Sequence, residues 1–330
     1  MGYVAGEKIL DDEYNNFVGS SSDPYGINHL IGTGSGRYGL GNSGVITTLT
    51  GNTGLITASQ WNLLFTAMDN LTNHTNDTLT STTARVAGDP IAIKSALVAD
   101  LATLAASVAA GCPSATAVSA GSEDRSEVAS AVFDTSHIVE DTVTFAGGDE
   151  ARWFFNAGGK IRVSLTNNAT GSTDKDTSVS NLITSMGNFD LGANTNGRSG
   201  TGDTPTTEAT ETGYYDLGTS YTTLMHLDES AGTYANNIEL KIEAKVNSAH
   251  GDGRNNNGEV VTLKCSVLLN DGTRTDYSSN NLSSVAVEAE AAGTTDWSFR
   301  TVDPTTAQGL DTVYTSVTIA NASNAIVNND

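Results

Sequence analysis

Ten residues, NIELKIEAKV (237–246), constrain the fold most. Ile238, Leu240, Ile242, Ala244 and Val246 alternate strictly with Glu239, Lys241, Glu243 and Lys245. A period of two puts the apolar set on one face of an extended chain and the charged set on the other, which predicts a half-buried antiparallel strand. A second run, EVVTLKCSVLL (259–269), places Val261, Leu263, Cys265, Val267 and Leu269 on one face. It predicts a core thiol at Cys265, and the NDG that follows (270–272) reads as a tight turn. Further strands are expected at IVEDTVTF, ARWFF, KIRVSL, YTTLMHL, SVAVEAEA and SVTIA. One short helix is expected where Val179, Leu182, Ile183 and Met186 follow a capping Asp176 and stop at Gly187. Many strands at hairpin spacing, without regular alternation with helices, predict an antiparallel β-sandwich or jelly-roll-like domain over residues 137–330.

The front of the chain has a different period. ILDDEYNNFV (9–18) and ITASQWNLLF (56–65) align without gaps, Tyr14 with Trp61 and Asn15 with Asn62, at an offset of 47 residues. Both read as helix starts. Asp11 or Asp12 caps the first, where Leu10, Tyr14 and Phe17 form a short stripe; Thr57 and Gln60 make a capping box in the second, ahead of a stripe of Trp61, Leu64, Met68 and Leu71. The two helices are expected to pack as a pair, with chance likeness of two amphipathic helices as the plainer account. A third helix is punctuated by Asp89 and Pro90 at its start and by Gly111 and Pro113 at its end. Its seam of Ile93, Leu97, Leu101, Leu104 and Val108, set among alanines, suits close packing within the chain or around an oligomer axis. The expected organisation is an extended glycine-rich arm with one short helix (1–54), a helical region (55–111), a linker (112–136) containing PSATAVSAGSEDRS, and the β domain (137–330).

Within the arm, IGTGSGRYGLG (31–41) has five glycines among eleven residues. A dinucleotide fingerprint needs a strand before it and a helix opening from its end, so that helix N–H groups can hold phosphate. Here turn-forming residues, SSSDPYGINHL, precede the stretch, and no Gly-Lys-Ser/Thr ending marks a P-loop. The glycines are expected to let the arm bend and lie close against another surface.

Acids outnumber bases 38 to 16, for a formal charge of -22. Such a surface repels phosphate backbones and argues against nucleic acid as a partner. Two distant cysteines, Cys112 and Cys265, fit neither a disulfide framework nor a zinc ribbon. No secretory signal or membrane span is read in the sequence, so synthesis in a cytoplasm without membrane insertion is expected, and Asn-x-Thr matches such as Asn73 carry no glycosylation argument. G-x-S-x-G is not matched, and the neighbouring acids Glu140-Asp141, Asp149-Glu150 and Asp228-Glu229 would point to opposite faces of a strand rather than form a dyad. His29, His74, His137, His226 and His250 show no paired metal-ligand spacing. The loop HGDGRNNNGE offers Asp252, Asn255, Asn257 and Glu259 as oxygen donors for Ca²⁺, without the EF-hand spacing. No catalytic residue and no cofactor are expected.

RWFFNAGGKIRVSL (152–165) is expected to be a hairpin, with aromatics running into an N-A-G-G turn and an I-R-V-S strand leaving it. This stretch, with GSGRYGLG and ITASQWNLLFTAMDNL, resembles virion structural proteins of tailed bacteriophages, especially cyanobacterial and other marine phages. The resemblance implies a non-enzymatic, repeated subunit of the tail, neck or fibre apparatus, made in the host cytoplasm and assembled into the particle. Its partners would be other virion proteins and copies of itself, a homo-oligomer being expected. Head decoration, binding of a host surface glycan through loop 194–215, and polysaccharide degradation are the alternatives. Tyr14, Tyr38 and Trp61, with Leu64 and Met68, are the expected interface anchors, since aromatics dominate interface energetics.

Overall fold

The computed structural model of the chain describes residues 11–19, 26–42, 46–49, 56–88, 94–112, 127–133, 136–168, 174–231, 234–248, 258–269, 275–277, 284–286, 292–304, 317–320 and 326–329. The alternating segments form strands where the pattern placed them. Burial alternates residue by residue along β8 (Ile238–Val246), and Cys265 of β9 (Val260–Leu269) is fully buried. These two strands pair centrally in a sheet that also contains β2 (Ser136–Phe145), β6 (Thr207–Glu208), β7 (Thr222–Asp228), β13 (Val317–Ala320) and β14 (Ile326–Asn329). Its order is β13-β2-β9-β8-β7-β6, with β14 also pairing β2. A second sheet, ordered β1-β12-β3-β4-β5, is built from β1 (Glu127–Phe133), β3 (Lys160–Asn167), β4 (Phe189–Leu191), β5 (Asn196–Arg198) and β12 (Ala292–Val302). A separate ribbon joins β10 (Thr275–Tyr277) to β11 (Ser284–Ala286), the described part of SVAVEAEA. All pairings among the described residues are antiparallel.

Both sheets contribute to one hydrophobic core. Val143, Ile242, Leu263 and Val267 come from the first, and Val163, Trp297 and Phe299 from the second. Two helices complete that core: α5 (Gly148–Asn156) through Phe154 and Phe155, and α6 (Asp174–Met186) through Val179, Leu182 and Met186. Helix α6 stops at Gly187, as expected, but starts at Asp174, so Asp176 lies in its first turn rather than at the cap.

Helix α5 overturns the strand expected at ARWFF and the hairpin expected over residues 152–165. Asp149 and Glu150 occupy its first turn, where carboxylates favour the positive end of a helix. Ala151, Phe154 and Phe155 then fall at i, i+3 and i+4 and are all buried. The aromatic pair that suggested a strand is one face of this helix, and N-A-G-G is its C-terminal turn, where Gly158 and Gly159 N–H donate to Phe155 O and Phe154 O.

The front of the chain folds into α1 (Asp11–Val18), α2 (Ile27–Ile31), α3 (Ala58–Thr75) and α4 (Lys94–Ala109). Helix α2 was not read from the sequence. The capping box at α3 is present, with Gln60 N donating to Thr57 Oγ1 and Thr57 N to Gln60 Oε1. Helices α1 and α3 pack as a pair, the Tyr14 and Trp61 rings meeting edge to face at 5.5 Å. The seam of α4 faces the same interior through Leu97, Leu101, Leu104 and Val108; its expected start at Asp89 and Pro90, with Ile93, lies outside the described residues. One cluster unites α1, α2, Leu40, α3, α4, Cys112 and Ala157 after α5. Among the described residues this cluster draws on both sides of residue 54, and residues 11–18 and 27–31 of the segment expected to be an extended arm with one short helix form two helices packed into it. Strand β1 lies inside the stretch expected to be a linker, which also corrects that boundary. The loop expected over 194–215 carries β5, β6 and a single 3-10 turn (Tyr214–Asp216) with both tyrosines buried.

Candidate functional site

The glycine-rich segment wraps a cation that belongs to the chain itself. Arg152, on α5, is 1% exposed. Its Nη2 donates to Thr33 O at 2.8 Å and Gly34 O at 3.5 Å, and its Nη1 to Gly36 O at 3.1 Å and to Tyr38 O. Asp149, one turn earlier on the same helix, accepts from Nη2 at 2.8 Å. Glycine is required where the loop turns. Gly34 (φ +36°) and Gly39 (φ +89°) are left-handed, and a Cβ on either would meet backbone atoms within 3 Å. The turn aims successive carbonyl oxygens inward at the planar guanidinium, whose five N–H donors suit several acceptors at once. This is the electrostatic inverse of a phosphate loop, in which N–H groups converge on an anion; a phosphate would meet carbonyl oxygens here.

Four more side chains fasten the same loop to the body of the two sheets. Asn156 Nδ2 donates to Gly39 O at 3.0 Å, and Trp153 Nε1 to Thr33 O at 3.3 Å. Tyr215 Oη lies 2.7 Å from Asn156 Oδ1 and 3.1 Å from Gly36 O, sharing its proton between two acceptors. From the loop side, Arg37 lies over the Tyr215 ring at 5.1 Å and 3.9 Å from Asp216. The seam extends to the helices: His74 Nδ1 sits 3.3 Å from Ala157 O, and Asn194 Nδ2 donates to Ala109 O at 3.3 Å. Burial lowers the pKa of the His74 imidazole, with the Ala157 carbonyl pulling the other way.

A second device recurs in the front module. Asn15 donates to Leu49 O at 2.8 Å and accepts from Leu49 N at 2.7 Å. Asn62, its partner in the sequence alignment, does the same to Arg85 at 3.0 and 2.8 Å. Asn28 does so to Ile46 at 2.7 and 2.8 Å. Each amide side chain thus replaces a neighbouring strand, satisfying both backbone groups of one residue. The repeated aromatic-asparagine pair therefore has a division of labour: the ring fills the core and the amide clasps passing backbone.

The expected interface anchors are placed differently from their prediction. Tyr14, Leu64 and Met68 are fully buried and Trp61 is 2% exposed, all inside the chain's own helical cluster. An apolar helical stripe does not distinguish an internal partner from an external one, and here the internal partner takes it. Burial also raises the Tyr14 phenol pKa. Tyr38 is half-buried, its ring 5.0 Å from His29 and its carbonyl on Arg152. The large hydrophobic side chains that the described parts of the front helices leave exposed are Leu63 of α3 (59%) and Val98 of α4 (51%).

Of the Ca²⁺ donors, Asp252, Asn255 and Asn257 lie outside the described residues; Glu259 accepts from Asn247 Nδ2 at 2.6 Å. Burial pushes both thiols, Cys112 and Cys265, far above the usual range. Glu140 and Asp141 point to opposite faces of β2, as do Asp228 and Glu229 around the end of β7, where buried Glu229 accepts from Asn181 at 3.1 Å. Among the described residues one group of side chains, His226, Asp228 and Glu239, has the composition and spacing to hold a metal ion. Sequence reading missed it, although His226 and Asp228 share one strand face by spacing. No helix among the described residues is long and apolar enough to cross a membrane. No family model, curated protein or solved structure matches the chain.

Proposed function

We propose that the chain is a virion structural protein of a tailed phage, a repeated, non-enzymatic subunit of the tail, neck or fibre apparatus. In this reading the two sheets form a projecting sandwich of jelly-roll kind. The observation that carries the proposal is the seam. Of the segments in which the resemblance lies, GSGRYGLG and the stretch from Arg152 fasten the front module to the body, and the helix that carries ITASQWNLLFTAMDNL joins the same seam through His74, just past the end of that stretch. A subunit held among neighbours has to transmit force through its own joints, and a buried guanidinium shared among several carbonyls resists shear better than a flexible tether.

Docking then uses the outside of the helical module, where Leu63 and Val98 stand exposed, rather than Tyr14, Trp61, Leu64 and Met68. Mass spectrometry of purified particles should find the chain at a fixed copy number. Leu63→Glu with Val98→Glu should lower that number while leaving stability of the purified chain within about 0.5 kcal/mol per substitution, as surface changes do. Particles that lack the chain, or that carry the double variant at the unaltered copy number, would overturn the reading or its docking face respectively.

A further inference from the structure

Strands β7 and β8 bring three metal-ligating side chains together on the outer face of their sheet. His226 and Asp228 are two residues apart on β7 and so point the same way, away from buried Leu227. Glu239 is the direct cross-strand partner of Asp228. Nε2 of His226 lies 2.8 Å from Glu239 Oε2 and 3.4 Å from Asp228 Oδ1, and one donor atom from each of the three lies within 4.8 Å of the others.

Two carboxylates directly opposed across a strand pair repel one another. Among the described residues no lysine or arginine stands within ion-pair distance of either, and Lys241, which pairs with His226, sends its Nζ to Glu243 Oε1 at 3.0 Å. The arrangement lacks a cation of its own beyond what a proton on His226 would supply. The two separations from His226 Nε2, 2.8 and 3.4 Å, lie close to those of a coordination shell, in which donors about 2.1 Å from one ion stand about 3.0 to 3.4 Å apart along the edges of an octahedron or tetrahedron.

We propose that His226, Asp228 and Glu239 form a binding site for a divalent transition-metal ion, Zn²⁺ or Mn²⁺, that braces β7 to β8. One imidazole with two carboxylates is a mixed donor set of the kind such ions accept, whereas Ca²⁺ and Mg²⁺ favour oxygen alone. The three side chains are 26%, 31% and 22% exposed, which leaves room for waters at the remaining positions. The brace falls near one edge of the sheet, because outside β7 among the described residues lies only the two-residue β6.

The test uses the full-length, tag-free chain, stripped with a chelator, desalted and titrated calorimetrically with Zn²⁺ alone and with Mn²⁺ alone. The expected result is one ion bound per chain and a rise in Tm at saturation, as binding to the folded state requires. His226→Ala and Glu239→Gln should each weaken that affinity by about tenfold or more while keeping the Tm of the metal-free protein, since both positions are partly exposed. No stoichiometric binding of either ion, or unchanged affinity in both variants, would overturn the proposal. Should either variant not fold, the His226 ring resonances of the unaltered chain decide it: Mn²⁺ at substoichiometric concentration must broaden them or Zn²⁺ at one equivalent must shift them, and resonances that neither ion affects reject the site.

Discussion

Arg152 carries a full charge into a nearly dry position, which costs several kcal/mol before any partner is counted. The Thr33, Gly34, Gly36 and Tyr38 carbonyls and the Asp149 carboxylate offset that cost, and the dependence runs both ways. Without the guanidinium, inward-facing carbonyls lose their donors. Arg152→Ala is therefore expected to destabilise the chain by about 3 kcal/mol or more, and Arg152→Lys to recover less than half, because a single ammonium cannot satisfy a fan of acceptors. Urea denaturation of the three proteins checks both figures. Trp61→Ala belongs to a different class: it empties a core position against Tyr14, Phe17 and Phe65, and should cost about 3 to 5 kcal/mol in the same experiment. A loss under 1 kcal/mol would mean that Trp61 is not the interior residue its burial makes it. At this scale the sequence displays the glycines and the aromatics plainly. It does not display what they face, because Arg152 is more than a hundred residues from the loop it holds.

Elements formed by strict periodicity are legible, and elements formed by tertiary choice are not. The alternation along β8 and β9 and the capping box of α3 translate directly into structure, since each is a local rule with a local cause. Helix α5 defeats the same reading. ARWFF has the composition of a strand, and only the acidic first turn and the core beneath Phe154 and Phe155 select the helix. The asparagine clasps are a middle case. The matching positions of Asn15 and Asn62 are visible in the alignment, but their targets are irregular segments whose pairing follows from the fold. Their strength is open to measurement. Asn15→Asp keeps the acceptor for Leu49 N–H and removes the donor to Leu49 O, so it should cost about 1 kcal/mol, whereas Asn15→Leu should cost about 1 to 3 kcal/mol by stranding both backbone groups. Hydrogen exchange at the Leu49 amide should accelerate in the leucine variant and change little in the aspartate variant. Equal acceleration in both would show that the acceptor does not hold this segment.

Two buried histidines sit at joints of the whole molecule, and they make part of its cohesion depend on pH. His137 of β2 places Nδ1 2.7 Å from Thr295 Oγ1 of β12, bonding one sheet to the other through the core. His74 joins α3 to the end of α5. Burial dominates both imidazoles and favours the uncharged form. His137 is lowered from 6.5 to about 4 against the opposing pull of Asp296, and His74 is lowered from the same value. The direction of the stability change follows. Between these folded values and the unfolded value the unfolded chain binds more protons, so stability rises with pH across that window. The contribution of His137 is fully present above about pH 6.5, is lost as pH falls toward 4, and changes no further below that. Each histidine adds a slope of at most about 1.4 kcal/mol per pH unit within its window. Thermal melts between pH 7 and pH 5 should therefore show a falling Tm over a range where most carboxylates are still ionised. His137→Asn, which can keep a hydrogen bond to Thr295 but cannot titrate, should flatten that dependence and lower the Tm at pH 7. If the variant follows the unaltered chain with the same slope, the acid sensitivity lies elsewhere and the contact between the sheets does not titrate.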